Sequence, residues 1–199
     1  MGGSQGARRL NQAVWGSLGA LLDAYEEVVH VTGRQGEETA AALVRPGYRP
    51  IAFTDDMPGL LATADLVVCR AGVGTCAELT AVGLPAAYVP LPHGNGEQRL
   101  NAEPIEEAGG GLIIDDADLS PEWLAETLLP ILLDGELVAA MGQAAAASGN
   151  RDADRDLAAL VLSVGRGPRP ARQARRASQV SRAGRGPRSG AAPGRAPRR

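Results

Sequence analysis

The sequence predicts an α/β fold, a Rossmann-like parallel sheet with helices on both faces. Two observations carry the prediction. Apolar runs of four or five residues alternate with stretches of helical periodicity, the pattern of strands joined by crossover helices. The runs are continuous, as in LVVC at residues 66–69, which marks strands buried on both faces. In such a sheet ligands bind beyond the carboxyl ends of the strands, so chemistry is expected in the loops that follow them.

The elements are expected in this order. A glycine-rich stretch at residues 2–7 (GGSQGA) leads into a helix over 8–22. Strands at 27–31, 51–53, 66–69, 86–89 and 111–114 alternate with helices at 35–44, 57–63, 74–82 and 97–108. Helices over 121–133, 136–147 and about 152–164 close the pattern. A glycine-rich loop at a helix start ordinarily follows a buried strand. The first strand of the sheet is therefore expected to be missing from this sequence.

Composition divides the chain in two. Residues 1–165 hold all 23 acidic residues and nine of the 20 basic ones, a formal charge of −14. Residues 166–199 hold eleven arginines and no acid among Gly, Pro, Ala and Ser. A folded domain is expected over 1–165 and a disordered tail over 166–199. Arginines in that number could attract nucleic acid or an anionic membrane. No aromatics interleave with them, so no nucleic acid is expected, and a solvated tail is the preferred reading. Cys69 and Cys76 form neither a CxxC nor a Cys/His cluster, which argues against a zinc site or a disulfide framework.

Four loops could carry chemistry. Gly2, Gly3, Ser4 and Gly6 combine a permissive backbone with a hydroxyl at a helix start, which suits a diphosphate or, equally, a plain N-cap by Ser4. After the strand LVVC, residues 70–75 (RAGVGT) open a second helix. Gly72 and Gly74 allow close approach, Thr75 offers a hydroxyl, and Glu78 follows one turn later, where it could accept bonds from ribose hydroxyls. Thr75 and Glu78 also fit a T-x-x-E capping box. Residues 90–101 (PLPHGNGEQRLN) are dense in polar groups of the kind that read sugar hydroxyls. Asp55 and Asp56 resemble a metal pair but read better as an N-cap plus a first-turn acid, and no catalytic metal is expected.

Taken together, GGSQGA, FTDDM (53–57), ADLVVCRAGVGTCAE (64–78), AVGLPA (81–86) and PLPHGNGEQRLNA (90–102) resemble the MurG family of peptidoglycan glycosyltransferases, of the two-domain GT-B class. The resemblance covers about residues 2–162. It implies transfer of N-acetylglucosamine from UDP-N-acetylglucosamine to an undecaprenyl-linked muramyl pentapeptide acceptor, with inversion and without a metal cofactor. The match falls on the family's donor-binding half. It implies Ser4 at the phosphates, Thr54 meeting uracil through its backbone, and Val73, Gly74, Thr75 and Glu78 around diphosphate and ribose. Gln98 would read the sugar, while Glu97 stands where some relatives have a second glutamine. The family's candidate catalytic base and membrane-docking patch belong to its other domain. No catalytic residue is therefore expected in this chain, the acceptor would be reached through that domain, and the full enzyme would sit peripherally on the cytoplasmic face of the membrane.

Two other readings stand beside this one. A non-catalytic UDP-sugar-binding remnant would show ligand stabilisation without turnover. Another GT-B enzyme or a UDP-sugar epimerase would share the diphosphate site, but GGSQGA together with EQRLNA argues against both. A dinucleotide-dependent dehydrogenase is disfavoured because GxGxxG and the acid about 20 residues on are absent.

Overall fold

A computed structural model describes residues 8–165. Ser4 with its glycine loop, and the arginine-rich stretch 166–199, lie outside the described residues. The chain divides after Asp156 into two units, and both sheets and every site discussed below belong to the first.

Helix α1 (Arg8–Ala24) buries Leu10, Ala13, Leu18 and Leu21, an apolar stripe at helical spacing. It leads to β1 (Val28–Val31), a 3-10 turn at Arg34–Gly36, α2 (Glu37–Ala42) and β2 (Tyr48–Ile51). Next come α3 (Met57–Thr63), β3 (Val67–Cys69), α4 (Val73–Val82), β4 (Ala86–Tyr88), α5 (Glu97–Glu107) and β5 (Gly111–Ile113). A helical run then begins as α6 (Pro121–Trp123), widens into a π-helical turn over Leu124–Leu128 and continues as α7 (Leu129–Leu133). Helices α8 (Gly135–Ser148) and α9 (Ala153–Gly165) follow.

All strand pairing is parallel, as predicted. β1 pairs with β2, Val28 opposite Tyr48. β4 lies between β3 and β5, with Ala86 opposite both Val67 and Gly111. Alternation along β4 builds two cores. Ala86 and Tyr88 face Leu61, Cys76, Leu79 and Ile105, while Ala87 and Val89 face Leu10, Ile114, Leu124 and Leu128. Gly111 makes room for the Tyr88 ring: a Cβ there would stand 2.8 Å from Tyr88 Cε2 and 2.7 Å from the Ala86 carbonyl oxygen. Gly83 ends α4 at φ 73°, and Leu84 N–H donates to the Leu79 carbonyl, so the chain turns directly into β4.

Two elements differ from expectation. The second strand is Tyr48–Ile51 rather than residues 51–53. Tyr48 is buried and Phe53 is 69% exposed, the reverse of what the apolar run IAF suggests. Pro50 is tolerated because Gly47 and Ile51 carbonyls accept from β1, which turns the Pro50 nitrogen to the outer edge. The helix over 121–133 carries the π-turn because Pro130 cannot donate to the preceding turn. Leu129 N–H reaches back to the Leu124 carbonyl instead.

A buried polar chain ties α1 to the β1–β2 pair. Trp15 Nε1–H donates to the Tyr48 hydroxyl (3.0 Å), and Asn11 Nδ2–H donates to the Thr32 carbonyl (2.9 Å). Asn11 Oδ1 must then accept, so His30 Nε2–H donates to it (3.0 Å) and His30 Nδ1 accepts from the Tyr48 hydroxyl (3.0 Å). Every member is satisfied only with a neutral imidazole. Burial holds the His30 pKa down at about 4.

That value sets a pH dependence. The folded pKa lies below the unfolded one near 6.5, so the unfolded chain takes up the proton first. Stability from His30 is complete above about pH 6.5, declines as pH falls toward 4 and is then flat, a loss of about 3 kcal/mol at most. Urea midpoints at pH 7 and 4.5 are expected to fall further for the natural chain than for His30→Gln. Equal falls would contradict the assignment.

Candidate functional site

A candidate ligand site lies at the start of α4, at the carboxyl end of β3 and outside the cavities of the fold. Its N-cap is Gly72, which has no side chain to offer, and the first intrahelical bond runs from Cys76 N–H to the Gly72 carbonyl (2.9 Å). The backbone amides of Val73, Gly74 and Thr75 therefore have no partner within the helix. A Cβ at Gly74 would meet nothing within 4 Å, so the approach is open. Thr75 is the third residue of α4, so it is not the N-cap. The T-x-x-E capping box does not form, and Thr75 and Glu78 are left one turn apart on one face of the helix. Ten residues of aligned peptide dipoles favour negative charge at this end.

Helix α5 holds the two neighbouring loops in place. Gln98 and Asn101, three residues apart on one helix face, reach in different directions. Gln98 Oε1 accepts from Leu91 N–H (3.1 Å) in the loop after β4. Asn101 Nδ2–H donates to the Ala71 carbonyl (3.1 Å) in the loop after β3. The same helix face thus sets the distance between the α4 start and the loop after β4. Asn101 stands within the EQRLNA motif, and helical spacing from Gln98 is the signal that could have singled it out.

Arg70 opens the glycine loop in sequence but turns away from it. Its guanidinium pairs with Asp116 (2.6 Å) and donates to the Val89 and Pro90 carbonyls (3.1 and 3.3 Å). Asp116 also pairs with Arg9 of α1 (3.1 Å), and the adjacent Asp115 pairs with Arg99 of α5 (2.5 Å). One carboxylate thereby joins the ends of β3, β4 and β5 to the first turn of α1. Neither Asp115 nor Asp116 stood out in the sequence, because their partners are remote along the chain.

In the β2 loop, the Thr54 hydroxyl accepts from Asp56 N–H (3.0 Å) and Asp56 Oδ1 accepts from Gly59 N–H (2.9 Å). The N-cap expected of this acidic pair is supplied by Asp56, but the expected first-turn acid is not found: α3 begins at Met57 and has no acid in its first turn. Thr54 belongs to the β1–β2 pair, whereas Val73, Gly74, Thr75, Glu78 and Gln98 belong to the β3–β4–β5 sheet and its helices. Cys69 and Cys76 are buried, and burial pushes their thiols up to about 12 and about 11, far from reactivity at neutral pH.

Residues 1–157 match the family described as the glycosyltransferase family 28 C-terminal domain. Over 171 residues the chain is 48% identical to the UDP-N-acetylglucosamine--N-acetylmuramyl-(pentapeptide) pyrophosphoryl-undecaprenol N-acetylglucosamine transferase of Thermobifida fusca, covering 85% of this chain and 45% of that protein. The protein of the same description from Streptomyces coelicolor is 50% identical over 165 residues, covering 82% and 45%. The crystal structure of Acinetobacter baumannii MurG superposes with a TM-score of 0.72 at 28% identity, over 82% of this chain and 50% of that one. The chain spans about half the length of the curated relatives it matches.

The Arg70–Asp116 pair is largely buried, with side-chain exposures of 10% and 12%. Asp116→Ala strands the guanidinium and is expected to cost about 2–3 kcal/mol in urea unfolding. The double change Arg70→Met, Asp116→Leu is expected to recover most of that loss. A double variant as unstable as the single one would show that packing, and not charge, holds the loops.

Proposed function

The chain belongs to glycosyltransferase family 28, as its C-terminal domain, and from that premise we propose that it binds UDP-N-acetylglucosamine as the donor for transfer to an undecaprenyl-linked muramyl pentapeptide. The observation that carries the reading is the uncapped start of α4, where the first-turn amides at Val73, Gly74 and Thr75 lie open beside two glycines. A diphosphate brings the charge that such a helix end lacks. The Thr75 hydroxyl adds one more donor, and the Glu78 carboxylate, one turn on, accepts from the two ribose hydroxyls.

The remaining contacts follow the same reading. Thr54 meets uracil through its backbone, its side chain being taken by Asp56 N–H. Gln98 spends its carbonyl on Leu91 N–H and turns its amide NH2 to the sugar hydroxyls. Ser4 completes the diphosphate contacts from the glycine loop.

In the transfer step an acceptor hydroxyl oxygen bonds to the anomeric carbon from the face opposite the diphosphate. The bond from that carbon to the diphosphate oxygen breaks, and UDP departs with the electron pair. Negative charge grows on the leaving oxygen, so a helix N-terminus aimed at the diphosphate stabilises the transition state more than the ground state. The base that takes the hydroxyl proton is assigned to no residue of this chain. In the longer protein the reaction runs at the cytoplasmic face of the membrane, with the enzyme bound peripherally. Among the described residues no helix is long and apolar enough to cross a membrane.

Calorimetry with the full chain tests the reading. UDP-N-acetylglucosamine is expected to bind more tightly than UMP, and Thr75→Val and Glu78→Ala are each expected to weaken it about tenfold. The purified chain is expected to form no lipid-linked disaccharide. No preference over UMP would overturn the donor assignment, and measurable turnover would overturn the absence of a catalytic base.

A further inference from the structure

We propose that Asp116 is a positioning residue for donor binding. Its carboxylate fixes the start of α1 and the glycine loop before α4 relative to each other by holding an arginine from each. The role rests on the UDP-sugar reading of the chain. Asp116 Oδ1 pairs with Arg70 (2.6 Å) and Oδ2 with Arg9 (3.1 Å), so its two oxygens are divided between two cations.

The places of the two arginines supply the first argument. Arg9 stands in the first turn of α1, just after GGSQGA, and Arg70 stands just before Gly72. Each glycine-rich stretch therefore has one arginine on its flank, and both arginines end on the same carboxylate. Glycine has no side chain by which a loop could be held, so its place must come from the residues beside it. The remaining arms of both guanidiniums go to backbone. Arg9 Nη1–H donates to the Ala117 carbonyl (3.2 Å), and Arg70 Nη1–H donates to the Val89 and Pro90 carbonyls (3.1 and 3.3 Å). The chain after β4, which leads on to Gln98, is thus tied to the same cluster.

Charge supplies the second argument. Asp116 lies beyond the carboxyl ends of the strands, the side from which the α4 start also emerges. A carboxylate on that side repels a diphosphate and by itself lowers affinity. Its presence is understandable if it fixes geometry, because one carboxylate can accept from two guanidiniums at once. Arg70, only 10% exposed, is directed at Asp116 and the two carbonyls, not outward toward an incoming anion.

Two accounts of the cluster differ in sign. Through-space attraction by the arginines predicts that Asp116→Asn binds a diphosphate more tightly, since a negative charge is lost. Positioning predicts weaker binding, since a single amide oxygen cannot hold both guanidiniums and the amide NH2 accepts from neither.

Calorimetry with the full chain and UDP-N-acetylglucosamine decides between them, with urea midpoints to correct for any unfolded fraction. Asp116→Asn is expected to weaken binding about tenfold and Arg9→Met about threefold. The double variant is expected to lose about tenfold rather than about thirtyfold, because both changes break the same strut. Arg9→Lys keeps the charge but loses the fork that spans Asp116 and the Ala117 carbonyl, so it is expected to lose about threefold as well. That variant changes a half-exposed side chain and keeps the test decisive if Asp116→Asn does not fold. Arg49→Met, which breaks the exposed pair with Glu27 and removes the same charge, is expected to bind as the natural chain does. Unchanged or tighter binding by Asp116→Asn, full affinity in Arg9→Lys, or an equal loss in Arg49→Met would each overturn the positioning role while leaving the donor reading intact. A natural chain that does not bind UDP-N-acetylglucosamine would overturn the donor reading and this role with it.

Discussion

Parallel strands cannot be joined by a tight turn, and this constraint arranges everything else in the molecule. Each strand must return across a face of the sheet before the next can pair beside it, and here helices make those returns. Every loop that leaves a strand therefore emerges at the same end of its sheet, and the helix that follows a strand begins on that side. The start of α4, the polar segment before α5 and the Asp115–Asp116 pair are neighbours for that reason. The same returns cover both faces of β4, which forces Ala, Ala and Tyr to be fully buried and makes Gly111 the only fit beside the Tyr88 ring.

Polar groups then convert proximity into fixed geometry. Asp116 holds Arg70 and Arg9, while Gln98 and Asn101 fasten the loops after β4 and β3. The neutral bonds of Gln98 and Asn101 are each worth only about 1 kcal/mol. Together they fix the loops on either side of the α4 start. A loop rich in glycine depends on such bracing, since glycines contribute no packing of their own. On the other side of the fold, the chain from Trp15 through Tyr48, His30 and Asn11 to Thr32 does the equivalent work for the β1–β2 pair.

Much of this was legible in the residues themselves. The helices at α3, α4 and α5, the parallel pairing and the capping by Asp56 follow from contiguous patterns, and each pattern lies within a few turns of chain. The likeness of the loops to glycosyltransferase donor sites was legible for the same reason, as five short motifs in order. Other features misled. The run IAF looks like a strand, yet Tyr48 takes the buried position because its hydroxyl completes the His30 network. Thr75 and Glu78 spell a capping box, yet the helix starts at Val73 with Gly72 as its N-cap, so the box does not form.

The class of fold, the order of its elements and the glycine-rich helix start can be read from the residues alone, because periodicity and capping act between near neighbours. The inward turn of Arg70 to Asp116, the hold of Asn101 on the loop after β3 and the cavity between β1 and β3 emerge only in the folded chain. These depend on residues far apart in the chain, brought together by the burial of apolar surface, which no local pattern encodes.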